Sequence, residues 1–341
     1  MPHYQRILAL ESSCDDTAVA IVENGRRVLS SVIYSQTGLH AQFGGVVPEA
    51  AARAHIHSVN EALQAALDEA HCTFQNIDAF AATLGPGLVG SLLVGANTGK
   101  TLSLIAEKPF LGVHHLAAHV ASNYLDSDLE PPFLCLLVSG GHTQLIAVED
   151  HHTMRVVGES LDDAVGEAYD KVARMMKLPY PGGPVMDTLA LQGNPHAFTL
   201  PKAQTSGPYD FSFSGLKTAT MRSFEKALSL LEPEPAPLTL SKLQSDMAAS
   251  FQHTVVETLF EKTIRCARDL DMHTLTVAGG VSANRGLRQK FQDFVKAQPE
   301  YRLFIPQMAF CTDNAAMVAA CAYFNPYTTD IRQEVFSRSQ L

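Results

Sequence analysis

Two histidines one helical turn apart, His115 and His119 in "HHLAAHV", are the first residues in this sequence whose spacing could do chemistry. An i, i+4 pair puts two imidazoles on one face of a helix, which suits a metal ion, but two ligands do not complete a site. His55 and His57 in "AHIH" are two residues apart and would point to nearly opposite sides of a helix. His151 and His152 fall in a polar stretch expected to be an exposed loop, and His142 is a candidate phosphate contact. The zinc-peptidase pattern HExxH is excluded, because Leu116 stands where its Glu would be. Asp313 in "CTDNAAM" is a candidate third ligand; equally, Thr312 or Asp313 could cap the helix that begins there. Two His and one carboxylate with open positions is a coordination set typical of iron(II), with zinc an alternative.

Three glycine-rich turns could approach a phosphate. "VSGGHT" (138–143) lies between two apolar runs, and Ser139, Gly140 and Gly141 offer backbone N–H groups and a hydroxyl; a plain hairpin turn reads the same way. "AGGVSANRG" (278–286) joins a strand to a helix N-terminus, where a nucleotide can rest, and carries Asn284 as a base or ribose contact. "YPGGP" (180–184) is followed by Asp187, and Asp170 lies in "GEAYDKVA". "GANTGKT" (95–101) is one residue short of a P-loop, so Lys100 reads as an ordinary helix lysine. In "ESSCDDT" (11–17), Asp15 and Asp16 would repel a phosphate unless a cation intervenes or a proton must be taken up.

The elements that must position these residues are legible as patterns. "ILALESSCDDTAVAIVENGR" (7–26) and "FLCLLVSGGHTQLIAVEDHH" (133–152) are both apolar run, turn, apolar run, and so predict two hairpins in two related domains. Helices are predicted at 48–70, over "TLSLIA" (101–106), at 241–270 and in the last part of 274–297. Buried strands are predicted at 79–84, 109–115 and at the start of 274–297. Residues 153–240 are less regular, and "EPEPAPL" (232–238) reads as an exposed loop or linker. The whole is α/β.

The chain of 341 residues is long enough for two domains, and its 46% hydrophobic and 18% charged content fits a globular protein with a large core. A net charge of −10 argues against wide non-specific nucleic-acid binding. The scattered Cys14, Cys72, Cys135, Cys266, Cys311 and Cys321 form no CxxC, which suits reduced thiols in a cytoplasm. "MPHYQRILALESSCDD" lacks the long apolar stretch of a secretory signal, and no window reads as a membrane span. These patterns predict a cytoplasmic protein.

Taken together and in order, "SSCDDTAVAI", "HHLAAH", "LVSGGHTQL", "GEAYDKVA", "YPGGP", "DFSFSGLKTA", "AGGVSANR" and "CTDNAAM" resemble the tRNA threonylcarbamoyladenosine transferase family, of bacterial TsaD type and formerly called O-sialoglycoprotein endopeptidase. The resemblance implies two actin/hexokinase-like (ribonuclease H-like) domains with a ligand cleft between them. On that basis residues 1–115, completed by a C-terminal helix at about 311–341, form the first domain, and 116–310 the second with a helical insertion. It implies transfer of a threonylcarbamoyl group from threonylcarbamoyl-AMP to the exocyclic amine of the adenosine 3′ to the anticodon, in tRNAs reading ANN codons. It implies one divalent metal, Fe(2+) or else Zn(2+), on His115, His119 and Asp313, and an adenylate site on Leu137, Val138, Ser139, Gly140, Gly141, Asp170, Gly183, Asp187 and Asn284. Its implied partners are a TsaB-like paralogue forming a heterodimer and a TsaE-like ATPase. Asp15 is the candidate proton acceptor; the family more often has Glu where this chain has Asp16, and the tail "TTDIRQEVFSRSQL" matches no motif of it. An actin/hexokinase-fold phosphotransferase and a non-enzymatic nucleotide-binding switch are the alternative functions.

Overall fold

A computed structural model describes residues 4–231, 237–325, 330–338 and 341. Part of the expected "EPEPAPL" loop (232–236) and four tail residues (328, 329, 339 and 340) lie outside the described residues. Contacts divide the chain into two units: Met1–Pro131 with Val148–Arg155 and Pro306–Leu341, and Pro132–Ala147 with Val156–Ile305.

In the first unit, β1 (Arg6–Glu11), β2 (Asp16–Glu23) and β3 (Arg27–Ser35) are followed by the short α1 (Thr37–Ala41) and the long α2 (Pro48–Glu69). β4 (Ala79–Gly85), α3 (Val89–Ala106), β5 (Phe110–His114) and α4 (His115–Ala121) come next. The sheet order is β3-β2-β1-β4-β5, with β1–β2 and β2–β3 antiparallel and β1–β4 and β4–β5 parallel. The central strands are near-continuous apolar runs because both faces are covered. Leu8, Leu10, Val19, Ile21, Phe80 and Ala82 pack with Val59, Ala62 and Ala66 of α2 and Ala96 of α3. The alternate residues Ala9, Ala18, Ala20, Ala79 and Ala81 are small and buried. The alanine-rich last helix packs on β1, β2 and β4 and is apolar all round, as a helix with no solvent face must be.

The second unit repeats this plan. β6 (Phe133–Val138), β7 (Thr143–Val148) and β8 (Met154–Glu159) lead to α5 (Val165–Met175), α6 (Gly182–Ala190), α7 (Ser214–Ser229) and α8 (Pro237–Asp269). β9 (Thr274–Ala278), α9 (Arg285–Ala297) and β10 (Arg302–Phe304) complete it, and α10 (Ala315–Phe324) is the last helix of the first unit. The sheet order β8-β7-β6-β9-β10 matches that of the first unit strand for strand, with β6–β9 and β9–β10 parallel. The two hairpins expected from sequence are therefore the seeds of two like-wound α/β units. Leu134, Leu136 and Val138 pack with Val165, Ala168 and Val172 of α5, Phe251 and Val255 of α8, and Leu287 and Phe291 of α9.

Three local readings change. The contacts divide the chain after Pro131, where the sequence reading divides it after residue 115, because α4 packs on α10. Residues 153–240 hold β8, α5, α6 and α7 rather than mainly irregular chain. His151 is half-buried: its ring stacks on Phe324 at 4.7 Å, and its nitrogens lie 3.2 Å from the Tyr124 hydroxyl and 3.0 Å from Glu130. Lys100 lies inside α3, as expected. No helix among the described residues is long and apolar enough to cross a membrane, and none of the six cysteines forms a disulfide.

Candidate metal centre and nucleotide-binding turns

Parallel strands deliver their carboxyl ends to one edge of a sheet, where α/β folds hold ligands. In the first unit those ends are Glu11 on β1, Gly85 on β4 and His114 on β5. His115 opens α4 directly after β5, and His119 follows one turn later on the same face, with ring centroids 4.6 Å apart. Asp313 stands just before α10. The cap of α10 is neither Thr312 nor Asp313 but Asn314, whose side-chain oxygen accepts the Met317 N–H at 2.9 Å. That leaves the Asp313 carboxylate free to face the histidines: Oδ1 lies 3.2 Å from His119 Nε2 and 3.7 Å from His115 Nε2. One ligand atom from each of the three residues falls within 4.8 Å of the others.

The donor set fits a divalent cation on two counts. His119 is 1% exposed; its Nε2 faces the Asp313 carboxylate at 3.2 Å, and its Nδ1 makes no hydrogen bond among the described residues. A buried imidazole with one nitrogen unpaired and the other against a carboxylate is costly, and a cation held between ring and carboxylate relieves that cost. Second, two carboxylates, Glu11 and Asp313, flank His115. Burial opposes charge on His115, yet Glu11 and Asp313 outweigh it and push its pKa up to about 9. Burial likewise opposes the Asp313 carboxylate, but His115 and His119 pull it down to about 2. Glu11 is lowered from its ordinary value despite burial, chiefly by His115. The pocket therefore holds more anion than its own side chains balance without a proton or a cation.

Asp15 and Asp16 lie half-buried at the mouth of the β1–β2 turn. Burial, then the neighbouring Asp313, Asp15 and Glu11, raise Asp16 to about 7, against the lowering effect of a Ser35 hydrogen bond. His55, fully buried on α2, holds this turn: Nδ1 lies 2.7 Å from Thr17 Oγ1 and Nε2 3.0 Å from the Cys14 carbonyl oxygen. His57 is exposed on the other side of the helix, so only one of the two packs.

In the second unit the corresponding strand ends are Val138 on β6 and Ala278 on β9. Leu137 and Val138 are buried, so only their backbone is available. Ser139 closes the turn, its N–H donating to the His142 carbonyl at 2.8 Å, and a Cβ on Gly140 or Gly141 would meet nothing within 4 Å. Gly279 must be glycine: its φ is +85° and a Cβ would lie 2.5 Å from the Val138 carbonyl oxygen. That approach sets the 138–141 and 279–284 turns side by side.

Asp170 lies one helical turn past Gly166 on α5, and Gly166 donates to the Ser139 carbonyl at 3.2 Å. Its Oδ1 accepts the Gly182 N–H at 2.8 Å, and it also takes a hydrogen bond from the Gly183 backbone, so it caps α6. Burial raises Asp170 and these bonds partly offset the rise. Asp187 accepts the Arg285 N–H at 3.1 Å. Asn284 caps α9 through its bond from Leu287 N–H at 2.9 Å and donates to Gln252 Oε1 at 2.6 Å. All the expected adenylate residues thus gather at one end of this unit's sheet. Missed from sequence were Gln252, which bonds both Asn284 and Asp187, and Glu11. Only the position of Glu11, a lone carboxylate ending an apolar strand, hinted at its role.

Comparison with known proteins identifies the family. The model of the family described as tRNA N6-adenosine threonylcarbamoyltransferase (TsaD) matches residues 27–320. A relative of that name from Nostoc sp. is 53% identical over 323 residues, covering 93% of this chain and 90% of its own length. Another, from Gloeothece citriformis, is 49% identical over 328 residues, covering 94% and 92%. Among solved structures, full-length HypF in a phosphate- and nucleotide-bound form aligns with a TM-score of 0.61 at 11% identity, over 95% of this chain and 47% of that one, a likeness of fold.

Proposed function

Because the chain belongs to the tRNA N6-adenosine threonylcarbamoyltransferase family and is a tRNA-modifying transferase, we propose that it takes the threonylcarbamoyl group from threonylcarbamoyl-AMP and joins it to the exocyclic amine of the adenosine 3′ to the anticodon, in tRNAs reading ANN codons. The observation that carries this reading is the convergence of His115, His119 and Asp313, with both imidazoles facing the one carboxylate, in a chain half identical to named transferases. His115, His119 and Asp313 would hold one divalent ion, Fe(2+) or Zn(2+), through two imidazoles and a carboxylate. Bound there, such an ion would supply Lewis-acid chemistry.

The chain's own groups do the remaining work. In the second unit, the backbone N–H groups of Gly140 and Gly141 bind the phosphate, in a turn with room for close approach that the Ser139 N–H closes on the His142 carbonyl. Asp187 and Asn284, held by Arg285 N–H and Gln252, take the ribose and base. Asp170 fixes the α6 terminus, with Gly182 and Gly183, beside them. In the reaction the adenosine amine nitrogen forms a bond to the carbamoyl carbon, the bond from that carbon to the phosphate oxygen breaks, and AMP leaves with the electron pair. Asp15 accepts the proton released by the amine.

Donor-set chemistry favours this over a phosphotransferase or a nucleotide switch of the same fold, neither of which needs an imidazole pair. A TsaB-like paralogue as heterodimer partner and a TsaE-like ATPase complete the proposed system, in the cytoplasm. Exposed apolar side chains on the packed pair α2–α3, among them Ile56, Val89 and Leu93, offer a partner surface. The test is transfer from threonylcarbamoyl-AMP to unmodified tRNA by purified chain with those partners. Modified adenosine in ANN-reading tRNA alone is expected, and modification of other tRNAs, or none, would refute the assignment.

A further inference from the structure

Glu11 is a fully buried carboxylate with no residue role in the chemistry above. It is held from three sides. Oε1 accepts the Ser13 N–H at 2.6 Å, Oε2 accepts the Thr83 hydroxyl at 2.6 Å, and Oε2 also lies 3.2 Å from His115 Nδ1. The first two bonds tie the carboxylate to the end of β1 and to β4, so its position does not depend on His115.

We propose that Glu11 is a positioning residue for the metal centre: it fixes the His115 imidazole as the Nδ1–H tautomer and so presents the Nε2 lone pair to the ion. The inference rests on the metal reading of that site. An ionised carboxylate can only accept, so the ring nitrogen facing it must carry the proton. The nitrogen that gives up its proton to an ion is then Nε2, the one 3.7 Å from Asp313 Oδ1. Ser13 Oγ is equally close to Nδ1, at 3.2 Å, but a hydroxyl can donate or accept and therefore selects no tautomer.

A role in holding the strands together does not explain the charge. The Ser13 N–H and the Thr83 hydroxyl are neutral donors that a Gln side chain could serve in part without burying an ion. A buried carboxylate behind a ligating imidazole instead raises the basicity of the ligand and adds a negative charge for the cation. The Nδ1 of His119 has no such carboxylate behind it among the described residues, so His115 is the ligand whose orientation is built in.

The experiment uses the full chain, stripped of metal and titrated with cobalt(II) against a competing chelator. Folding is checked by circular dichroism and the site by the visible cobalt bands. Glu11→Gln is expected to weaken cobalt binding about 10- to 100-fold and to shift the bands, whereas Ser13→Ala stays within about twofold. Glu11→Asp keeps the charge but falls short of Nδ1, and is expected to weaken binding at least about tenfold. Either Glu11 variant, folded and binding within about twofold of wild type with unchanged bands, overturns the proposal. Should neither variant fold, nitrogen-15 resonances of His115 in the zinc-loaded wild-type chain decide it. A protonated Nδ1 supports the tautomer claim, and a protonated Nε2 overturns it. A wild-type chain that takes up no cobalt or zinc removes the metal reading and this inference with it; normal uptake by the Glu11 variants removes only the inference.

Discussion

Replacing Gln252 by Leu removes the link between the two side chains proposed to hold the nucleoside, while keeping a side chain of similar bulk. Gln252 is buried on α8, accepts from Asn284 Nδ2 at 2.6 Å and hydrogen-bonds Asp187. Losing a neutral bond costs about 0.5–1.5 kcal/mol, and losing one to a charged group about 1.5–3 kcal/mol. The variant should therefore lose about 2–4 kcal/mol of native stability. The Asp187 carboxyl is already raised by burial and held down by Arg285 and Gln252, so it shifts further toward its neutral form in the variant. Asn284 keeps its Leu287 bond but loses the partner that fixes its amide nitrogen. If these two groups contact the nucleoside, loosening both should weaken AMP by about tenfold, equivalent to about 1.4 kcal/mol. Thermal denaturation reads the first effect and titration calorimetry with AMP the second. A lowered melting temperature with unchanged AMP affinity would refute the nucleoside contact and leave Gln252 as a strut between α6, α8 and α9.

Gly140→Val should fold with stability within about 0.5 kcal/mol of wild type, since its Cβ meets nothing within 4 Å, yet lose AMP binding, and calorimetry would expose unchanged affinity. Burial works against the Asp163 carboxylate, but Lys217 and Lys171 on either side of it together outweigh that and lower its pKa. A carboxylate with a depressed folded-state pKa stabilises above its unfolded pKa and loses that contribution as pH falls through the folded value. Wild type should therefore be more stable than Asp163→Asn at pH 7, and the two should converge in acid; denaturant titrations at both pH values would contradict this if the gap stayed constant. The purified chain alone should turn over tRNA poorly, because a net charge of −10 gives little attraction for a polyanion, and partner-independent turnover at the full rate would argue otherwise.

How much of this was legible in the sequence depends on range. The apolar runs at 7–26 and 133–152 reported both hairpins, and the spacing of 48–70 reported α2, because period and burial are local signals. α6 was read as a glycine turn because its first residues are Gly182 and Gly183, whose N–H groups are satisfied by Asp170 from another helix. The cap of α10 was ambiguous among adjacent polar residues, and Asn314 takes it. The histidine pair was visible from spacing alone, but the approach of Asp313 was not, and Glu11 reaches His115 across 104 residues of chain through the β1-β4-β5 order. No one-dimensional pattern encodes that sheet order.

The central claim is that His115, His119 and Asp313 together hold one ion that the transfer reaction needs. Metal content per chain, measured by elemental analysis beside transfer activity with partners present, tests it on His115→Ala, His119→Ala, Asp313→Ala and His57→Ala. The account expects about one divalent ion in wild type and in His57→Ala, whose histidine is exposed on α2, and loss of metal together with activity in the other three. A full complement of metal in His115→Ala, with its loss in His57→Ala, would contradict it.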